Sequence, residues 1–163
     1  MKKQTKMINT TLCHIEKDGK YLMLHRTKKE NDQNKDKWVA IGGKFETNES
    51  PEECNRREVF EETGLTLKSA SYCGIVTFVS DKWETEYMHI FHSKDFKGDI
   101  KPCDEGELCW VDKKELYSLP IWQGDKIFLR LLERPHPFFS LKLEYKGENL
   151  VKAVLNDTVI HGI

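Results

Sequence analysis

The segment GKFETNESPEECNRREVFEETGL, residues 43–65, carries the strongest signal in this 163-residue chain. Ser50, the proline after it and Glu53 form a helix-start pattern with a capping box. Gly64 marks the end of the helix, because glycine adopts the left-handed conformation of a C-terminal cap at little cost. The segment therefore predicts about three turns of helix over residues 51–63.

Three carboxylates share one face of this predicted helix, within an arc of about 100°: Glu58, Glu61 and Glu62. Val59 and Phe60 point away from this face and are expected to pack in a core. Clustered carboxylates repel each other, and their oxygens are the ligands that Mg²⁺ prefers, together with waters and phosphates. The alternative interpretation is a solvated acidic face that pairs with Arg56 and Arg57.

The segment resembles the Nudix box, Gly-x5-Glu-x7-Arg-Glu-apolar-x-Glu-Glu-x-Gly-apolar. It matches at every defining position: Gly43, Glu49, Arg57, Glu58, Val59, Glu61, Glu62, Gly64 and Leu65. The resemblance implies an α+β fold, an α/β/α sandwich in which helices enclose a mixed β-sheet and the box forms a loop-helix-loop. One such domain is expected over residues 1–163, with a frayed tail after Asn156.

Three short segments outside the box resemble the MutT-type members of this family, which hydrolyse oxidised purine nucleoside triphosphates. Lys37-Trp38 precedes the box, Asp104-Glu105 precedes Cys109-Trp110, and residues 119–125 read LPIWQGD before a late helix. The finer resemblance implies hydrolysis of a nucleoside triphosphate to a monophosphate and pyrophosphate, with 8-oxo-dGTP as an example of a substrate.

The resemblance also implies a metal site, occupied by Mg²⁺ or alternatively Mn²⁺. Its ligands are expected to be three carboxylates and one backbone carbonyl: Glu58, Glu61, Glu62 and Gly42. Arg57 is expected to orient one of these carboxylates by a charge-assisted hydrogen bond, or else to form a surface ion pair of little value. Glu49 is expected to support the site or to act as an outer ligand, and the alternative is that it lies in solvent.

Glu105 resembles a loop carboxylate that completes the metal site or activates water, although Asp104-Glu105-Gly106-Glu107 is also an ordinary acidic turn. The expected catalytic residues are therefore Glu58, Glu61, Glu105 and Arg57. Lys44 and Gly43 are expected to contact the substrate phosphates, and the alternative for Lys44 is an ordinary surface lysine.

Trp122 and Asp125 match positions that hold the purine in the MutT-type enzymes that this chain resembles. A Trp stacks on a base and an Asp hydrogen-bonds its edge. Trp122 equally suits a core anchor, and Asp125 suits the first turn of a helix. Val39 departs from the pattern, since related enzymes can carry an Asn there that contacts the base. Phe78 and Met88 are expected either in the pocket or in the core.

Composition limits the partners. Lys plus Arg number 26 and Asp plus Glu number 27, so the net charge of −1 provides no field that attracts a nucleic-acid polymer. We find no apolar stretch of membrane-spanning length and no signal peptide, and we expect a cytoplasmic monomer or homodimer that binds a nucleotide. The five cysteines lack a CxxC pair and are expected to be free thiols.

Periodicity predicts a mixed α and β chain. The sequence KDGK at residues 17–20 predicts a hairpin turn. Residues 27–37 are polar and predict a loop. Strands are expected at residues 10–16, 21–26, 38–41, 72–80, 87–93, 107–111, 138–145 and 150–155, and further helices at 112–117 and 122–132.

Two other functions remain open from the sequence. A Nudix hydrolase for another diphosphate, such as a sugar nucleotide or a dinucleoside polyphosphate, would carry the same box. A nucleotide-binding module that has lost catalysis would keep the fold, but an intact carboxylate set argues against such a loss, because clustered charges are costly without a metal.

Overall fold

The computed structural model of the protein describes residues 6–162. Nine strands and two α-helices follow each other in this order: β1 Met7–Lys17, β2 Lys20–Arg26, β3 Trp38–Val39, α1 Pro51–Thr63, β4 Thr66–Ser80, β5 Thr85–Lys97, β6 Gly106–Asp112, a 3-10 turn Glu115–Ser118, α2 Asp125–Leu132, β7 Phe139–Lys146, β8 Asn149–Leu155 and β9 Thr158–Ile160.

The strands form one mixed sheet in the order β3-β2-β1-β5-β4-β7-β8-β9, and β6 pairs with β2. The pairs β1–β5 and β4–β7 are parallel, and the other pairs are antiparallel. Asp18 and Gly19 have φ angles of 51° and 75°, so they close the expected β1–β2 hairpin with a two-residue turn.

Neighbouring side chains of one strand point to opposite faces of the sheet, and both faces of this sheet are covered. Ile90 packs in a core with Phe128 of α2, whereas the next residue, Phe91, packs with Val59 of α1. Helices therefore cover the sheet on both sides, which confirms the expected α+β sandwich.

The α1 helix has the predicted bounds, since Ser50 accepts a hydrogen bond from the Glu53 N–H and the Glu53 side chain accepts one from the Ser50 N–H. Gly64 ends the helix with a φ of 83°. Phe60 differs from the expectation of a core residue, because its side chain is 54% exposed.

Other segments differ from the predictions, each for a local reason. Residues 123–124 form a turn with i to i+3 hydrogen bonds, so α2 begins at Asp125 and not at residue 122. The helix expected over residues 112–117 is only the 3-10 turn. The expected frayed tail is wrong, because Asn156 and Asp157 adopt φ angles of 48° and 66° and close a hairpin into β9.

Candidate active site

The loop before α1 runs along β1, which brings its glycines against the strand. The Thr11 N–H donates to the Gly43 carbonyl at 2.9 Å, and the Phe45 N–H donates to the Asn9 carbonyl at 3.0 Å. A Cβ atom at Gly42 would lie 1.6 Å from the Thr11 carbonyl oxygen. Only glycine therefore fits at position 42 without a shift of β1.

Gly43 makes room for a carboxylate of α1. A Cβ atom at this position would lie 2.5 Å from the carboxyl carbon of Glu58. The Gly42 N–H donates to Glu62 Oε2 at 3.3 Å. The backbone of the loop thus touches Glu58 and Glu62, which are one helical turn apart and lie on the same face of α1.

A cavity of about 710 Å³ opens beside this loop, and three carboxylates line one part of it, here called the acidic wall: Glu58, Glu62 and Glu105. Burial and then the charges of Glu105 and Glu58 raise the pKa of Glu62 to about 9. Burial is also the largest cause that raises the pKa of Glu58, against the hydrogen bond from Arg57. Crowded, partly buried carboxylates therefore resist ionisation here.

The acidic wall fits a divalent cation by its chemistry. Carboxylate oxygens suit Mg²⁺ and Mn²⁺, and a bound cation would displace the proton that the raised pKa of Glu62 retains. Within residues 6–162, no group of three or more His, Cys, Asp or Glu side chains is already arranged around a metal position. The acidic wall supplies the oxygen ligands for such an ion.

Glu61 is placed differently from the other two carboxylates of α1. Its side chain is 56% exposed and does not line the cavity. Its Oε2 accepts a hydrogen bond from Arg57 Nη1 at 3.1 Å. Of the three carboxylates on this face of α1, Glu58 and Glu62 therefore point into the cavity and Glu61 points outwards. The ligand role of Glu61 stays a prediction.

Arg57 connects the loop to the helix. Its Nε and Nη2 atoms donate to the two carboxylate oxygens of Glu49 at 2.6 and 2.8 Å, and Nη1 donates to Glu58 Oε1 at 2.7 Å. Nη2 also donates to the Lys44 carbonyl at 2.9 Å. The side chains of Arg57 and Glu49 are only 20% and 14% exposed, so this is not a surface ion pair.

The Arg57 guanidinium has an electrostatic effect on Glu49, because its hydrogen bonds lower the pKa of that carboxyl to about 2. Glu49 does not line the cavity. Glu49 binds Arg57, which also contacts Glu58, and its expected support of the site stays a prediction.

Glu105 is held by residues that the sequence analysis missed. Arg26 Nη1 donates to Glu105 Oε2 at 2.8 Å, and Arg26 Nε donates to Asp32 Oδ2 at 2.8 Å. All three side chains line the cavity. Arg26 thus joins the loop after β2 to the acidic wall.

Trp122 is a core residue that also lines the cavity, and its stacking on a base stays a prediction. It is 6% exposed and packs edge-to-face on Phe78 and Tyr145, with ring centroids 5.4 and 4.9 Å apart. It also lines the cavity, and its Nε1 donates to Asn34 Oδ1 at 2.7 Å. We call this part of the cavity, formed by Phe78, Trp122 and Asp125, the aromatic region.

Asp125 is the first residue of α2 and lines the cavity. Burial and then the charge of Glu86 raise its pKa to about 8, against the opposing charge of Lys37. Its carboxyl group is therefore mostly protonated at pH 7 and presents both a donor and an acceptor.

The remaining predicted contacts also line the cavity: Val39, Gly42, Gly43, Lys44, Phe78 and Met88. Val39, Phe78 and Met88 are at the same time core residues. Lys44 is exposed, and its backbone bridges to Thr10 of β1. The structure thus brings all the predicted residues to one cavity except Arg57, Glu49 and Glu61.

Glu86 is a further cavity residue that the sequence analysis missed. Its Oε2 accepts a hydrogen bond from Thr10 Oγ1 at 2.7 Å, and its Oε1 accepts one from Gln33 Nε2 at 3.2 Å. The signal was present, since Glu86 alternates with the core residues Met88 and Ile90 and so lies on an inward face of β5.

Comparisons with known proteins identify relatives of the whole domain. The chain is 30% identical over 117 residues to an oxidized purine nucleoside triphosphate hydrolase of Danio rerio, covering 71% of this chain and 74% of that protein. It is 28% identical to a CTP pyrophosphohydrolase of Escherichia coli, covering 74% and 87%. A crystal structure of a MutT protein from Bacillus halodurans is 28% identical, has a TM-score of 0.79 and is matched over 91% of this chain and 97% of that one.

No helix within residues 6–162 is both long and apolar enough to cross a membrane.

The model of the NUDIX domain matches residues 6–132, which is most of the chain and includes the box, the acidic wall and Asp125. The protein therefore belongs to the Nudix family, as a pyrophosphohydrolase with MutT-type relatives.

Proposed function

We propose that the protein hydrolyses a nucleoside triphosphate to a monophosphate and pyrophosphate with the help of a divalent cation, and that it prefers oxidised purine nucleotides such as 8-oxo-dGTP. One observation carries the proposal: a single cavity contains both the acidic wall and the aromatic region. An intact carboxylate set in the same cavity as an aromatic region suits a nucleotide whose diphosphate lies against the acidic wall.

Nudix hydrolases act on nucleoside diphosphate-linked compounds, and the family match supports this general reaction for the chain. A divalent cation, Mg²⁺ or Mn²⁺, would neutralise phosphate charge and lower the pKa of a water molecule. Glu58 and Glu62 would hold the cation, with Glu61 and the Gly42 carbonyl as the additional ligands that the family pattern implies.

The other residues of the chain orient these groups. Arg57 holds Glu58 in place, and Arg26 holds Glu105 at 2.8 Å. Glu105 would then accept a proton from the attacking water, or complete the ligand set. Lys44 and Gly43 lie on the loop that borders the cavity and would face the phosphate oxygens.

The products test the reaction. We expect wild-type protein with Mg²⁺ to release pyrophosphate and a nucleoside monophosphate, because a divalent cation held by the acidic wall would neutralise the charge on the pyrophosphate leaving group. Orthophosphate is measured with and without added inorganic pyrophosphatase, and the nucleotide product is identified by chromatography. Orthophosphate that appears without pyrophosphatase, together with a nucleoside diphosphate, would contradict the proposal.

The base preference is tested at Asp125. We expect kcat/KM for 8-oxo-dGTP to exceed that for dGTP in the wild type, and we expect Asp125→Ala to reduce this ratio by about tenfold, because an unpaired polar edge costs about 1–3 kcal/mol. The preference should weaken as the pH rises through about 8, where Asp125 ionises. Lys126→Ala, on the same turn of α2, serves as the control.

Equal kcat/KM values for the two nucleotides in the wild type would refute the preference for oxidised purines.

Trp122→Ala should raise KM for all purines, since stacking does not depend on the pattern of donors and acceptors at the base edge. This change also removes a buried side chain and costs about 3–5 kcal/mol of stability, so folding must be verified by thermal unfolding.

A second candidate is a different base or leaving group. The Escherichia coli relative is named for CTP, and Val39 is apolar where related enzymes can carry an Asn. A screen of pyrophosphate release over dCTP, normal and oxidised purine triphosphates, sugar nucleotides and dinucleoside polyphosphates distinguishes these substrates. The hydrolase-named relatives favour all of them over a binding module without catalysis.

A further inference from the structure

We propose that Glu86 is a second base-contacting carboxyl group in this cavity, and that it acts with Asp125 to select a guanine-type edge over an adenine-type edge. The proposal rests on the proposed function, because it assumes that the base lies in the aromatic region. Glu86 lies on β5 and Asp125 on α2, and both line the cavity beside Trp122.

Glu86 is held in a defined orientation from two sides. Thr10 Oγ1 of β1 donates to its Oε2 at 2.7 Å, and Gln33 Nε2 of the loop after β2 donates to its Oε1 at 3.2 Å. Each carboxylate oxygen accepts more than one hydrogen bond. Both oxygens therefore keep capacity to accept an N–H of a ligand while the two anchors remain in place.

No cation of the described residues pairs with Glu86 within salt-bridge distance. Its partners Thr10 and Gln33 are neutral donors. Hydrogen bonds from neutral groups stabilise the ionised carboxylate without cancelling its charge, so its attraction for further N–H donors persists.

The two carboxyl groups differ in what they offer. The charge of Glu86 is one cause of the raised pKa of Asp125, whereas Lys37 opposes the rise. Asp125 therefore presents a proton and an acceptor at neutral pH, whereas both oxygens of Glu86 already act as acceptors towards Thr10 and Gln33. A carboxyl group that donates, next to one that accepts, forms a pattern that one base edge matches better than another.

The complementary edge must carry adjacent N–H donors for Glu86 and an acceptor for the Asp125 proton. A guanine-type edge has this pattern in its N2 amino group, its N1–H and its O6. An adenine-type edge places the lone pair of N1 next to its amino group, and this lone pair would face the Glu86 oxygens. An unpaired or repelled polar group in a partly buried site reduces affinity about tenfold or more.

The experiment measures binding of GMP and AMP by calorimetry, without metal, so that catalysis plays no part. We expect the wild type to bind GMP at least tenfold more tightly than AMP, and Glu86→Gln to reduce this ratio by about tenfold. The control is Glu84→Gln, which removes the same charge from the same cavity at a side chain that is 45% exposed. This control should leave the ratio unchanged.

Three results would overturn the inference: equal binding of GMP and AMP by the wild type, an unchanged ratio in Glu86→Gln, or an equal fall of the ratio in both variants. Thermal unfolding verifies that both variants are folded. Pyrophosphate release from triphosphates is assayed separately. A protein that selects GMP through Glu86 but releases no pyrophosphate would refute the proposed function and leave this inference standing. A protein that releases pyrophosphate but binds GMP and AMP equally would refute this inference and leave the proposed reaction standing.

Discussion

Replacement of Glu62 by Gln should lower the metal-activated kcat by at least about 100-fold, which corresponds to about 2.7 kcal/mol of transition-state stabilisation. The exchange keeps the shape of the side chain and removes a carboxyl group that would ligate the metal once its proton is displaced. Because Gln cannot ionise in this buried position, the variant should be at least as stable as the wild type without metal. Activity is measured against Mg²⁺ concentration, and stability by thermal unfolding.

The same assay decides the role of Glu61. The family pattern predicts a ligand here, and we expect Glu61→Gln to lose most activity although its side chain is 56% exposed in the structure. Turnover near the wild-type value in saturating Mg²⁺ would remove Glu61 from the site. Glu52→Gln, an exposed exchange in the first turn of α1, controls for the loss of one charge from this helix.

Replacement of Arg57 by Ala should have the second-largest effect. It leaves Glu49 and Glu58 without their main cationic partner, so we expect a loss of about 2–3 kcal/mol in the free energy of unfolding and about 100-fold in kcat. Arg57→Lys should recover only part of each, because an ammonium group cannot reproduce the paired contacts at 2.6 and 2.8 Å to Glu49.

Arg56, the exposed neighbour of Arg57, provides a matched control, since Arg56→Ala should change the free energy of unfolding by no more than about 0.5 kcal/mol.

The pH dependence of the stability gives an independent test of the contact between Arg57 and Glu49. The folded pKa of Glu49 is about 2, below its ordinary 4.5, so its contribution is present above about pH 4.5 and is lost as the pH falls towards 2. Arg57→Ala should abolish this part of the acid dependence, and an unchanged acid profile would contradict the assigned network.

Local chemistry explains which elements the sequence predicted well. The α1 helix has the predicted bounds because its capping box and the left-handed Gly64 act within a few residues of the chain. The β1–β2 hairpin follows in the same way from Asp18 and Gly19. The β9 strand was missed although the same turn chemistry precedes it, because Asn156-Asp157 is a weaker hairpin signal than a pair that contains glycine.

The start of α2 could not be located from periodicity. Trp122 is apolar and fits the helical pattern, but it belongs to the turn that packs on Tyr145. Gly124 lies so close to β7 and its Tyr145 that a Cβ atom there would be 2.5 Å from Leu143 Cδ1. This close approach between distant segments, and not helix propensity, decides the geometry that turns Asp125 into the cavity.

Sequence alone predicts the family pattern, the α1 helix and the set of carboxylates, because caps, turns and fixed spacings act over short stretches of chain. Which of these carboxylates face one another depends on contacts between distant segments. Glu62 meets Glu105 across 43 positions, Arg57 spans Glu49 and Glu58, and Glu86 of β5 lies near Asp125 of α2. Burial and the charges of groups distant in sequence shift the pKa values that govern this cavity, and neither has a local signature in the sequence.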